Sequence, residues 1–127
     1  YGIFQLNEKV GFTIGFDCWA QQVAKNDNNF NTWYSPVIIL KVAPTKKISL
    51  AARGELYQDK NGVIISTGTP NGFQTVGYSL NVDYNIQNNL VLRIEGRGFS
   101  SEDAIFINEE SPVNDNFFVI SSLAFSF

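Results

Sequence analysis

The sequence contains no histidine and no methionine, and Cys18 is its one cysteine. Without histidine, the chain lacks the usual ligands of a zinc site and the general base of Ser-His-Asp or Cys-His catalysis. A lone cysteine forms no intrachain disulfide and no thiolate cluster, so Cys18 is most simply a small apolar side chain. We therefore expect no metal and no cofactor, and we expect that the protein is not an enzyme.

Long apolar runs and basic clusters are also absent. The longest aliphatic run is residues 37–40, whereas a membrane-spanning helix needs roughly 18 apolar residues. The sequence shows no basic segment followed by an apolar one, which is the pattern of a signal peptide. The 9 Lys and Arg residues form no run or stripe and the formal charge is −3, so we expect no nucleic-acid partner.

Alternation of apolar and polar residues at period two dominates the chain. This period places successive side chains on opposite faces of a β-strand. It predicts a partial strand followed by six strands of about 11 to 14 residues, longer than the roughly 5 to 6 residues usual in globular proteins. The predicted strands are residues 1–6, 9–22, 32–43, 47–59, 73–86, 89–100 and 116–127. Pro36 cannot donate a ladder hydrogen bond and predicts a local bulge or irregularity.

The connections between these strands alternate between short and long. The short ones are residues 7–8, 44–46 and 87–88, and the long ones are residues 23–31, 59–72 and 101–115. Asn61-Gly62 suggests a small hairpin tip within the second long loop. Outer-membrane barrels have short turns on one side and longer loops on the other, and their strands need roughly 9 to 11 residues. The pattern predicts an all-β, antiparallel up-and-down meander that forms a transmembrane β-barrel or the C-terminal segment of one.

Six long strands and a partial one are fewer than the roughly eight of the smallest single-chain bacterial barrels. The chain also opens on YGIFQL, which looks like the end of a strand. We therefore expect residues 1–127 to be a single β-barrel domain or the C-terminal fragment of a larger barrel. A missing N-terminal part would complete the barrel in the second case; alternatively, the chain closes with another copy in a homo-oligomer.

Charged residues in the predicted strands fall on the face opposite the apolar one. A Lys or Arg facing lipid near mid-membrane costs roughly 2 to 4 kcal/mol, so this segregation is expected of a barrel lumen. The predicted lumen-lining residues are Arg53, Glu55, Asp83, Arg93, Glu95 and Arg97. They suit either a charged constriction that selects solutes or a ladder of cross-strand ion pairs that fills the interior. The second interpretation is favoured, although the two overlap.

Two further groupings carry weaker signals. Glu55 and Glu95 could be paired catalytic carboxylates, but the alternating arginines would keep both ionised. Residues 59–62 (DKNG) echo the start of a calcium loop but lack its spaced third ligand and closing glutamate, which favours a turn.

Aromatic residues near the loop ends of the strands could form an interfacial girdle. They are Trp19, Trp33, Tyr57, Phe99 and Phe117. The first four share the predicted lumenal face, which weakens this interpretation in favour of ordinary packing.

The terminal stretch NFFVISSLAFSF places Phe125 and Phe127 on its apolar face. It resembles the closing strand of bacterial outer-membrane barrels, which typically end in Phe on the lipid side. This resemblance implies that Phe125 and Phe127 form a C-terminal signal for the barrel-assembly machinery.

Three stretches carry a resemblance to one family: KISLAARGELYQDKNGVIISTGTPNGF, SLNVDYNIQNNLVLRIEGRGFSSEDAIF and SSLAFSF. Over residues 46–127 the chain looks like the C-terminal region of the putative beta-barrel porin-2 family (OmpL-like). The matching positions are Arg53, Asp59, Gly62, Arg93, Glu95 and Phe127. The resemblance implies a location in the bacterial outer membrane, in contact with its lipid and largely in Bacteroidetes-type bacteria, and a channel whose solute is unassigned.

The favoured function is a porin-like, passive channel role in the outer membrane, with the solute unknown. The alternative is a soluble lipocalin-like or sandwich all-β module that binds an apolar ligand. Its core would consist of Val76, Leu80, Val82, Leu90, Leu92 and Ile94. A surface adhesin that presents the Asn-rich loops is a third, weaker hypothesis.

Overall fold

A computed structural model describes residues 1–25 and 28–127. The strands are β1 (Gly2–Gln5), β2 (Val10–Gln22), β3 (Phe30–Val42), β4 (Ile48–Asp59), β5 (Phe73–Gln87), β6 (Leu90–Ser101), β7 (Phe106–Asn108), β8 (Ser111–Val113) and β9 (Asp115–Phe125). In this part of the chain no helix is long and apolar enough to cross a membrane. The predicted loop 23–31 includes residues 26 and 27, which lie outside the described residues.

Seven of the strands form one sheet in the order β1-β2-β3-β4-β5-β6-β9. Every neighbouring pair is antiparallel, so the predicted all-β up-and-down meander is confirmed. Strands β1 and β9 are the two edges of this sheet. Among the residues described here they do not pair with each other, so the sheet is an open wall and not a closed barrel.

The register keeps the residues of each face together across the sheet. Ile39 lies opposite Arg53, Arg53 opposite Ser79, and Ser79 opposite Arg97. Between β6 and β9 the phase changes, and Arg97 lies opposite Phe118. The polar face is therefore formed by odd-numbered residues of β1 to β6 and even-numbered residues of β9. The remaining residues form the apolar face, as the alternation predicts.

The irregularity predicted at Pro36 takes a different form from a bulge. Pro36 pairs with Phe16 of β2 without any shift of register. On its other side, pairing with β4 stops after Tyr34 and resumes at Val37 in the same register. The proline interrupts the ladder because it has no N–H, but it adds no residue. The observed shift of register lies between Asn85 and Gln87, next to the β5–β6 turn.

The third long loop contains structure that the sequence pattern did not predict. Strands β7 and β8 form a small hairpin, with Phe106 opposite Val113 and Asn108 opposite Ser111. Its tip is Glu109-Glu110, which have φ angles of 47° and 67°. These angles suit the tight turn of a two-residue hairpin, but glutamate is not a residue that signals such a turn.

The second long loop is organised by a buried carboxylate and not by a hairpin. Asp59 is 0% exposed. Its carboxylate accepts hydrogen bonds from the backbone N–H groups of Val63, Ile64 and Ile65, at 2.7, 2.8 and 2.9 Å. The hairpin predicted at Asn61-Gly62 is therefore wrong, and DKNG is a turn wrapped around Asp59.

The second and third long loops are joined through Asp103. Its carboxylate accepts the backbone N–H of Asn71 at 2.8 Å and the side-chain amide of Asn71 at 3.0 Å. The side-chain and backbone hydrogen bonds from Asn71 lower the pKa of Asp103 below its ordinary value. The stabilisation that the ionised carboxylate gives to this junction is therefore fully present above the ordinary pKa of aspartate and is lost as the pH falls through the lowered value.

We predict that Asp59→Asn lowers the free energy of unfolding by about 1 to 3 kcal/mol, because it removes the charged acceptor of three backbone N–H groups. Denaturant titration of the lipid-reconstituted chain measures this loss. Asp115→Asn removes the same charge at an exposed position and serves as the matched control. Equal stability of the two variants would show that Asp59 does not hold the loop.

Candidate functional site

The predicted lumen-lining residues all lie on the polar face, on β4, β5 and β6. Four rows run across the sheet: Glu55 faces Gly77, Arg53 faces Ser79, Ala51 faces Asn81, and Ser49 faces Asp83. On β6 the corresponding residues are Phe99, Arg97, Glu95 and Arg93. Three neighbouring strands therefore bring all six charges together.

Glu55 joins two strands that are not neighbours. One carboxylate oxygen, Oε2, accepts Arg53 Nη2 at 2.5 Å and Arg53 Nε at 3.1 Å. The other oxygen, Oε1, accepts Arg97 Nη2 at 2.5 Å. Arg53 is on the same strand, whereas Arg97 lies on β6, beyond β5. The carboxylate thus forms a bridge across the intervening strand.

Gly77 provides the space through which this bridge passes. Glu55 and Gly77 are direct cross-strand partners. A Cβ added at Gly77 would lie 2.6 Å from Glu55 Oε1 and 2.7 Å from Glu55 Cγ. Because the glycine has no side chain, the glutamate lies flat over β5 and reaches Arg97. The sequence analysis assigned Gly77 no role; a glycine inside a long strand was the available signal, and its partner Glu55 is known only from the register.

A second ion pair lies two rows closer to the short turns than Arg53 and Arg97. Arg93 and Asp83 are direct cross-strand partners. Arg93 Nε and Nη2 donate to the two oxygens of Asp83, both at 2.6 Å. This is the two-pronged geometry that guanidinium and carboxylate groups favour, and Asn81 Nδ2 adds a third contact to Asp83 at 3.3 Å.

Glu95 differs from the other charged residues in this group. The ion pairs within the described ranges are Arg53–Glu55, Arg97–Glu55 and Arg93–Asp83, and Glu95 takes part in none of them. The group is therefore a ladder of paired charges with one carboxylate left over. The interpretation as a charged constriction stays a prediction. Glu55 and Glu95 do not form a direct contact pair.

Aromatic rings continue the polar face toward the long loops. Trp33 stacks on Tyr57 with ring centroids 5.5 Å apart and planes at 3°, and Tyr57 meets Phe73 edge-on at 5.1 Å. The guanidinium carbon of Arg97 lies 5.0 Å from the centre of the Phe99 ring. These contacts are packing within the polar face. The sequence favoured packing because four of the five aromatic residues were predicted to lie on that face. Phe117 lies on the apolar face opposite Gly98.

Of the remaining predicted residues, Cys18, Phe125 and Phe127 lie at the surface, whereas Asp59 is buried. Cys18 is exposed on the apolar face. Phe125 is the last residue of β9, so Phe127 lies two residues beyond the strand predicted to include it. The two rings contact each other at 6.3 Å between centroids, and both are exposed.

Asp59, the first residue of the possible calcium loop, uses its carboxylate to accept hydrogen bonds from backbone amides. Residues 1–25 and 28–127 contain no group of three His, Cys, Asp or Glu side chains suited to a metal ion.

We predict that Gly77→Ala lowers the free energy of unfolding by about 1 kcal/mol, because the new methyl group displaces Glu55 from Arg97. Gly54→Ala is the matched control, since a Cβ there meets only Ile38 Cγ2, at 3.8 Å. Denaturant titration measures both variants.

A double-mutant cycle with Arg97→Gln tests the cause. If alanine acts by breaking the bridge, Arg97→Gln costs less in the Gly77→Ala background than in the natural chain. Strictly additive effects would refute the bridging role of Gly77.

Comparison with known proteins extends the resemblance seen over residues 46–127 to the whole chain. A family model described as putative beta-barrel porin-2, OmpL-like, matches residues 1–127. Searches of curated proteins and of solved structures gave no significant match. A β-barrel porin family implies a location in the outer membrane, and the meander with its two chemically distinct faces agrees with that description. The chain belongs to the putative beta-barrel porin-2, OmpL-like family.

Proposed function

We propose that the chain forms a wall of a bacterial outer-membrane β-barrel and serves a porin-like, passive channel role. In this proposal the apolar face meets lipid and the polar face lines the lumen. Arg53, Glu55, Asp83, Arg93, Glu95 and Arg97 then line the channel and do not act as catalytic groups. The protein is accordingly proposed to be a channel component and not an enzyme.

The exposure pattern of β5 carries the proposal. Val76 and Leu80, on the apolar face, are 49% and 59% exposed, whereas Thr75 and Ser79, on the polar face, are 3% and 8% exposed. A water-soluble fold places its apolar side chains inside, and the reverse arrangement suits a wall whose outer side faces hydrocarbon. Val37 is the one buried apolar residue in the described part of the chain, and it lies on the polar face.

The soluble alternative requires the opposite arrangement. Val76, Leu80 and Val82 would form a core, yet they are among the exposed apolar residues. No second layer of the described chain covers them, because the strands contact chiefly their neighbours in the sheet. An apolar-ligand module would need a cover for this face.

Partners follow from the same surfaces. Outer-membrane lipid would cover the apolar face, and the exposed Phe125 and Phe127 would be available to the barrel-assembly machinery. The open edges of β1 and β9 leave backbone groups unpaired, which hydrocarbon does not tolerate. In the membrane these edges would pair with further strands of the same barrel or with a second copy of the chain.

Spin labels at residues 78–85, introduced one cysteine at a time in a Cys18→Ser background, test the orientation of the faces in reconstituted bilayers. We expect labels at even positions to be accessible to oxygen and those at odd positions to a polar relaxation agent. A label at the exposed Ser66, in a long loop, provides the water-exposed reference. Even positions that are shielded from both reagents would place that face in a core and overturn the proposal.

Planar-bilayer recording of the reconstituted chain tests the channel role. We expect a passive conductance whose cation-to-anion permeability ratio is lower in Glu95→Gln than in the natural chain, because that variant removes the unpaired carboxylate from the lumen. Glu110→Gln removes the same charge at the tip of the β7–β8 hairpin and is expected to change the preference less. Absence of conductance, or equal shifts in both variants, would contradict the proposal.

A further inference from the structure

Two adjoining cavities open at the end of the sheet where the short turns lie. The larger, of about 580 Å³, is bordered by the β1–β2 and β3–β4 turns and by the end of β5. The smaller, of about 230 Å³, shares Glu8, Lys9, Lys41 and Ala43 with it. None of the six charged residues of the candidate site lines either cavity, so this region is a separate feature of the polar face.

The larger cavity carries a surplus of positive charge. Lys9, Lys41 and Lys46 line it together with a single carboxylate, that of Glu8. None of these four residues belongs to an ion pair of the described chain. The whole protein has a net charge of −3, so the cavity concentrates charge of the opposite sign. Like-charged ammonium groups at one cavity repel each other unless an anion is present to compensate them.

The backbone at Lys9 is held in place by its own turn. Asn7 Oδ1 accepts the N–H groups of Lys9 and Val10, at 2.9 and 3.0 Å. The carbonyl oxygen of Lys9 accepts the N–H of Ala43 at 2.7 Å, which ties the β1–β2 turn to the end of β3. Lys9 therefore enters the cavity from a fixed position.

The backbone at Lys46 is held in a similar way. Thr45 Oγ1 accepts the N–H of Ile48 at 3.0 Å, and Asn85 Nδ2 donates to the carbonyl oxygen of Lys46 at 3.0 Å. Lys41 enters from the polar face of β3. The three cationic side chains thus converge from three anchored segments.

We propose that this cavity binds a small oxyanion, of the phosphate or dicarboxylate class. The lysines supply positive charge and N–H donors, and the side chains of Thr45, Ser49 and Asn85 provide neutral polar groups around them. The position of this site at one mouth of a channel rests on the proposed function. Anion binding itself does not, because it requires no conduction. Such a site would raise the local concentration of anionic solutes at the end of the lumen opposite the long loops.

Equilibrium dialysis against radiolabelled inorganic phosphate, and separately against radiolabelled succinate, tests the proposal. The full chain is folded in a detergent that has no phosphate group, so that lipid headgroups do not compete. The test variant is Lys41→Gln/Lys46→Gln. The matched control, Lys47→Gln/Lys60→Gln, changes net charge equally, and neither of its lysines lines the cavity. Because all four lysines are exposed, both variants are expected to fold, and near-identical circular dichroism spectra verify this.

We expect the natural chain to bind at least one of the two anions and the test variant to bind it at least about fivefold more weakly, since each exposed charge contact contributes a modest amount. The control variant is expected to bind within about twofold of the natural chain. The proposal is overturned if the natural chain binds neither anion, or if the two variants weaken binding equally. Binding without bilayer conductance would refute the channel role while leaving the anion site intact, so the two failures are distinguishable.

Discussion

The antiparallel hydrogen-bond ladder is the constraint on which the rest of this structure depends. Because each strand exposes alternate residues on alternate faces, the pairing register decides which residues share a surface. From β1 to β6 the register pairs odd residues with odd residues, which gathers Arg53, Asp83 and Arg97 on one face. A shift of one residue in any of these pairings would move charged side chains to the apolar side.

The charge group shows how the ladder and local chemistry cooperate. Asp83 and Arg93 meet simply because they are opposite each other. Glu55 and Arg97 are two strands apart, and their contact requires the missing side chain of Gly77 between them. The corresponding arrangement occurs on the apolar face, where a Cβ added at Gly98 would lie 2.4 Å from the Tyr78 ring. Glycine therefore allows neighbouring side chains to cover the strand on both faces of the wall.

The long strands could be predicted because alternation persists over a dozen residues and each loop interrupts it. The predicted bounds of β2, β4, β5 and β6 agree with the structure within one or two residues. The site residues were placed on the correct face for the same reason. Their partners could not be predicted, because the sequence does not contain the register that sets Glu55 against Gly77.

The errors lie where backbone hydrogen bonding, and not hydrophobic pattern, decides the structure. The β7–β8 hairpin is only three residues on each side and turns at two glutamates, so it has neither alternation nor a typical turn signal. The loop around Asp59 contains Asn61-Gly62, which usually marks a hairpin, but amides at residues 63–65 converge on the carboxylate instead. At Pro36 the predicted irregularity is present, but as an interruption of the ladder without an added residue.

The change of phase between β6 and β9, in which Arg97 lies opposite Phe118, has a consequence for how such a chain can change length during evolution. Within a regular strand, a single inserted or deleted residue would reverse the faces of every residue beyond it unless a bulge absorbs the change, so strands change length most readily by pairs. The connection between these two strands already absorbs one change of phase, so single insertions and deletions should accumulate in loops of this kind.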